Sequence, residues 1–167
     1  MRSTEDISKH KHMGEKIKII GFNFTKNEFR FCVLDGSTKP PTIIEKNRIV
    51  YPNNMDTAEL MEWFETQLSL LIDKHQPNQL SHKISLNLTT LDQIRTSCYP
   101  QAILNLLAKK KNILIYNYSA QAINATKFGL PKKTDVFAHI DPIIGIHPPY
   151  WDKPTKEAVL VAWFNLL

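Results

Sequence analysis

Residues 17–24 read Ile17-Lys18-Ile19-Ile20-Gly21-Phe22-Asn23-Phe24, apolar on both side-chain parities rather than on alternate residues. A strand with one face in water alternates, whereas one covered on both faces does not. This segment therefore belongs at the centre of a sheet, with something packed on each side. Thr25-Lys26-Asn27-Glu28 turns the chain into a second apolar run over residues 29–34, which Asp35-Gly36 ends. Two such runs joined by a short polar turn predict a hairpin.

After the hairpin, helix and strand signals alternate. Residues 42–51 make a third, more exposed strand after Pro40-Pro41. Asp56, with Glu59 three residues on, is a helix N-cap with its reciprocal acid, and Leu60, Phe64, Leu68 and Leu71 line one face of the helix it opens. Glu59, Glu62 and Glu65 keep to another face, which reads as a solvated surface. Residues 82–88 are assigned to a fourth strand, Tyr99 or Pro100 through Ala108 to a helix with the proline in its first turn, and residues 112–116 to a fifth strand. Ser119 caps a short helix. Residues 129–153 are rich in Pro and Gly and read as a loop containing one helical turn near residues 136–140, with Asp141-Pro142 as a turn dipeptide. Residues 154–167 form a helix apolar nearly all round, which must pack against the sheet or a partner, with Asp152 able to cap it. The order predicts an α/β fold: a five-stranded mixed sheet flanked by helices.

A chain of 167 residues is most simply one domain, long enough to bury a core unaided. Residues 1–15 are polar and aperiodic and are expected to be a flexible tail, leaving residues 16–167 as the domain. His10-Lys11-His12 in that tail reads as solvated rather than metal-binding. No apolar run approaches the roughly 20 residues of a membrane helix, and the N-terminal residues carry acids without an apolar stretch behind them, so a cytoplasmic protein is expected. Cys32 and Cys98 form no C-x-x-C pair, in keeping with a reduced compartment. Nothing in the sequence sets an oligomeric state.

The net charge of +5 is unevenly spread. Beyond residue 100, Lys109, Lys110, Lys111, Lys127, Lys132, Lys133, Lys153 and Lys156 stand against Asp135, Asp141, Asp152 and Glu157. Such an excess attracts phosphate and equally keeps a small protein soluble. Lys109, Lys110, Lys111, Lys127, Lys132 and Lys133 are the candidate contacts for DNA or RNA, with Tyr150 and Trp151 in a Pro-rich loop as candidates for stacking or for a protein partner. No nucleophile elbow surrounds Ser97-Cys98, and no Gly-rich phosphate loop is present.

The hairpin Ile20-Gly21-Phe22-Asn23-Phe24 through Leu34-Asp35 resembles the first hairpin of RuvC-like Holliday junction resolvases, in which Gly-apolar-Asp precedes the turn. Ile84-Ser85-Leu86-Asn87 is similar to their fourth strand, which ends in a catalytic Glu. Ser119-Ala120-Gln121-Ala122-Ile123 resembles the stretch after their fifth strand, and Glu157-Ala158-Val159-Leu160-Val161-Ala162 the start of their last helix. A narrower likeness is to a family of short uncharacterised bacterial proteins that share this outline and also lack the first acid. The resemblance implies an RNase H-like (RuvC-like) fold.

It also implies a degenerate site. Two-metal phosphodiester hydrolysis needs carboxylates to hold two divalent ions close together. Asn23 and Asn87 stand where the resemblance puts acids, and only Glu157 keeps a carboxylate. The expectation is a catalytically inactive RuvC-like domain, with no cofactor, that binds nucleic acid or a protein partner. The alternative is a metal-dependent endonuclease holding Mg²⁺ or Mn²⁺ through Glu157 and loop acids such as Asp141.

Overall fold

The computed structural model describes residues 16–167; the tail and its two histidines lie outside the described residues. Strands β1 (Lys18–Phe24), β2 (Glu28–Asp35) and β3 (Thr42–Val50) form an antiparallel meander. Helix α1 (Thr57–His75) leads to β4 (Gln79–Ile84), and α3 (Tyr99–Lys110) leads to β5 (Leu114–Ser119). The sheet order is β3-β2-β1-β4-β5, with β4 and β5 parallel to β1. β1 is thus central, as its two-sided apolar pattern requires.

The two parities of β1 serve two cores. Phe22 and Phe24 pack with Phe29, Phe64, Leu68 and Leu104 beneath α1 and α3. Ile19 packs on the other face with Cys32, Leu34 and the apolar helix α5 (Lys153–Phe164). The capping box at Asp56 and Glu59 starts α1 as expected, and Leu60, Phe64, Leu68 and Leu71 are its buried stripe.

Several boundaries differ from the sequence reading. β4 begins at Gln79 and ends at Ile84, so residues 85–88 lie outside the sheet. The apolar spacing of Ile84, Leu86 and Leu88 mimics a strand, but pairing to β5 stops at Ile84 and Ser119, where Ser119 caps a 3-10 turn, Ala120–Ala122. β5 starts two residues later than expected because Asn112, at φ 55°, closes α3 in a left-handed cap that draws the Ile113 amide onto the Ala108 carbonyl.

Asp141-Pro142 is not a turn. Both residues lie inside α4 (Val136–Ile144), capped by Asp135; the carbonyl that Pro142 deprives of a donor belongs to Ala138, which is exposed to water.

Helical structure also begins before Tyr99, in a short turn, α2 (Leu91–Gln93), and a π turn, Ile94–Cys98. Pro100 has no N–H to offer the carbonyl of Thr96, four residues back. The Tyr51 hydroxyl donates to it instead, at 3.1 Å.

Candidate functional site

The C-terminal ends of β1 and β4 lie side by side, because the parallel register runs from Ile19 and Gln79 to Phe22 and His82. One residue further come Asn23 and Lys83. The antiparallel hairpin sets Asn23 opposite Arg30 on β2. All three side chains meet the first turn of α5, which is clamped onto the sheet at two points. Gly21 leaves room for the helix backbone: a Cβ there would stand 2.0 Å from the Ala158 carbonyl oxygen and 2.9 Å from the Ala162 methyl. Ser81 donates its hydroxyl to the Val161 carbonyl at 2.7 Å.

That clamp brings α5 over the strand ends. The Asn23 amide donates to the Pro154 carbonyl at 3.1 Å. Arg30, 4% exposed, donates through Nε and Nη2 to Glu28 Oε1 at 2.9 and 2.6 Å, through Nη1 to Thr155 Oγ1 at 3.0 Å, and through Nη2 to Asp152 Oδ2 at 3.1 Å. Asp152 is also the N-cap of α5. Glu157, 6% exposed, forms an ion pair with Lys83. The Tyr150 ring lies 4.2 Å from the Arg48 guanidinium carbon and 5.7 Å from that of Arg30.

Asn23 and Glu157 therefore converge, through the shared first turn of α5. Asn87 does not join them: it is exposed in the connection after β4. Asp141 is also held elsewhere, accepting from Trp151 Nε1 at 2.8 Å and Lys156 Nζ at 2.9 Å. Partial burial pushes its carboxyl up, but these two hydrogen bonds and the Lys156 charge outweigh that and hold it below the usual carboxylate range.

The basic and aromatic candidates are dispersed. Lys109, Lys110 and Lys111 precede β5 and so lie at the opposite end of the parallel strands, where Lys111 pairs with Asp73 at 2.6 Å. Lys127 sits 5.4 Å from the Tyr118 ring centroid, while Lys132 and Lys133 are exposed in the turn before α4. Tyr150 is exposed, whereas Trp151 turns inward onto Asp141 and His147.

Sequence reasoning missed Arg30 and Lys83. Arg30 carried a signal, a charge inside the otherwise apolar run of β2 that needs a buried partner; Lys83 carried none, because what it faces is set by where α5 crosses the sheet.

The residues present do not fit a pair of divalent ions. At the strand ends the donors are a neutral amide and one carboxylate already met by an ammonium, with a guanidinium seated between Glu28 and Asp152. Among the described residues, no three His, Cys, Asp or Glu side chains gather as a metal site.

No protein-family model and no curated protein matches the chain. Solved structures do. Thermus thermophilus RuvC matches with a TM-score of 0.72 at 10% identity, over 89% of this chain and 92% of that one. The same organism's RuvC in complex with Holliday junction substrate matches with a TM-score of 0.69 at 9% identity, over 89% and 91%. The yeast mitochondrial Holliday junction resolvase matches with a TM-score of 0.69 at 10% identity, over 90% and 78%. The fold is RNase H-like. Identities this low carry the fold and not the chemistry. Within that RNase H-like frame, the ends of β1 and β4 and the start of α5 enclose one buried cation, Arg30 of β2, and one half-buried cation, Lys83 of β4. No helix among the described residues is long and apolar enough to cross a membrane.

Proposed function

We propose that this chain is a RuvC-like domain that binds nucleic acid and does not cleave it. The observation that carries this reading is the source of positive charge at the strand ends. In two-metal hydrolysis, divalent ions clamp the attacking and leaving oxygens and lower the pKa of bound water. Here Lys83 satisfies Glu157, and Arg30 satisfies Glu28 and Asp152. An ammonium and a guanidinium offset carboxylates, but neither generates a hydroxide nucleophile as a bound metal does.

Nucleic acid is favoured as the partner by the fold, which is matched over about nine-tenths of the chain by Holliday junction resolvases, one of them solved with its junction. The basic excess beyond residue 100 supports the same choice. The narrower likeness to short bacterial proteins lacking the first acid, and a reduced cytoplasmic setting for the unpaired Cys32 and Cys98, belong to this proposal too.

The test is a titration of a four-way junction and a plain duplex at low salt, in EDTA and again in Mg²⁺ or Mn²⁺. The expected result is a salt-dependent mobility shift with every strand intact. Metal-dependent cleavage that disappears in Glu157→Ala would install the endonuclease reading instead. Absence of any shift at low salt would move the function to a protein partner.

A further inference from the structure

On the α1 and α3 side of the same strand ends lies a cleft of about 220 Å³ that none of the site residues above occupies. Four segments wall it, one of them α1 through Leu60, and the lining includes apolar Val50 and Met55; the polar groups come from the other three. The β1–β2 turn contributes Lys26 and Asn27, the connection after β3 contributes Asn53 and Asn54, and the turns before α3 contribute Asp92 and Arg95. Lys26 has no ion-pair partner among the described residues, and the side-chain amides of Asn27, Asn53 and Asn54 make no hydrogen bond there.

Arg95 is the unusual member. Its Nε is shielded from water and meets no acceptor, while the side chain as a whole is 31% exposed at the cleft wall. Asp92 lies 3.9 Å from Arg95 Nη2, too far for a hydrogen bond, so the pair leaves the guanidinium donors largely unspent. Two cations and three amides against one carboxylate favour a compact anion made of acceptor oxygens.

We infer that this cleft seats a phosphate group, the backbone phosphate of a bound strand. The identity of that strand rests on the nucleic-acid reading above. The placement suits it: the cleft opens at the end of the sheet where β1 closes, with Lys26 in the turn that follows β1.

The experiment uses the full chain and two probes. Inorganic phosphate is titrated while NMR follows the Arg95 Nε–H and the Asn53 and Asn54 side-chain amides; duplex DNA is titrated by anisotropy across a salt series. Phosphate is expected to shift those signals saturably in the wild type, and to leave the Asn53 and Asn54 amides unmoved in Arg95→Gln. For DNA, Arg95→Gln is expected to reduce the slope of log affinity against log salt by about one, with Arg95→Lys recovering most of it. Unchanged backbone signals outside the cleft show that each variant is folded. Unmoved cleft signals in the wild type, or equal DNA salt slopes in wild type and Arg95→Gln, would overturn the inference. If the wild type binds no DNA, the nucleic-acid reading falls by itself, and the cleft stands or falls on the phosphate titration.

Discussion

Lys83 and Glu157 form an ion pair that is largely withdrawn from water, their side chains 20% and 8% exposed. Breaking such a pair costs more than the pair contributes, because the survivor is left as a buried, uncompensated charge. Lys83→Met is therefore expected to destabilise the fold by about 3 kcal/mol, measured by urea unfolding. The double variant Lys83→Met, Glu157→Leu removes both charges and is expected to recover most of that loss. A double variant as unstable as the single one would mean that Glu157 is needed for something other than its partner.

Tyr51 performs a repair. Its hydroxyl serves the Thr96 carbonyl, for which Pro100 has no N–H. Tyr51→Phe removes that donor and is expected to cost about 1 kcal/mol. Adding Pro100→Ala returns a backbone donor to this stretch, so the cost of Tyr51→Phe is expected to shrink in that background. The double-mutant cycle measures the coupling.

His82 sets an acid limit. Its imidazole is 1% exposed, and burial pushes its pKa below the ordinary histidine value, against a weaker pull from the Lys83 carbonyl. The unfolded chain binds that proton below about pH 6.5 while the folded one resists it. This contribution is complete above the unfolded value and is lost as pH falls from there toward the lower folded value. The urea midpoint is expected to decline as pH falls through and below about 6.5, and His82→Gln to flatten that decline.

Gly21 is the contact that lets α5 lie on β1. With a Cβ only 2.0 Å from the Ala158 oxygen, Gly21→Ala must push the helix away, at an expected cost of about 3 kcal/mol. The same displacement separates Asn23 from Pro154. DNA affinity should fall together with stability in this variant, whereas Lys111→Ala, at the far end of the strands, should leave stability within about 0.5 kcal/mol of wild type, since its partner Asp73 is exposed.

How much of this was legible depends on the range of the interaction. The hairpin, the capped α1 and the apolar α5 are local patterns, and they stand where periodicity placed them. β4 and β5 slipped by two to four residues because strand ends are set by what pairs with them, which for β4 is β1 and β5, not its own apolar spacing. Asn23 and Glu157 were found as motif positions. Their cationic neighbours Arg30 and Lys83 were not, because which charge faces which is decided by where α5 crosses the sheet, 122 to 131 residues along the chain from β1 and β2.

Asn23 is the sharpest test of whether this site could take a metal again. Restoring a carboxylate by Asn23→Asp removes the donor that Pro154 receives and brings two acceptor oxygens into the place of a 3.1 Å hydrogen bond. The new charge would find Arg30 opposite it, already committed to Glu28, Thr155 and Asp152. A net loss of about 1–3 kcal/mol is expected. If the two cations define this site, Mg²⁺ or Mn²⁺ should raise the melting temperature of Asn23→Asp no more than that of the wild type, because Lys83 still holds Glu157. Only the triple variant Asn23→Asp, Arg30→Ala, Lys83→Ala frees carboxylates for an ion, and it alone is expected to gain a metal-dependent thermal shift. A shift already present in Asn23→Asp would show that Arg30 and Lys83 yield to a divalent ion, and would reopen the nuclease reading.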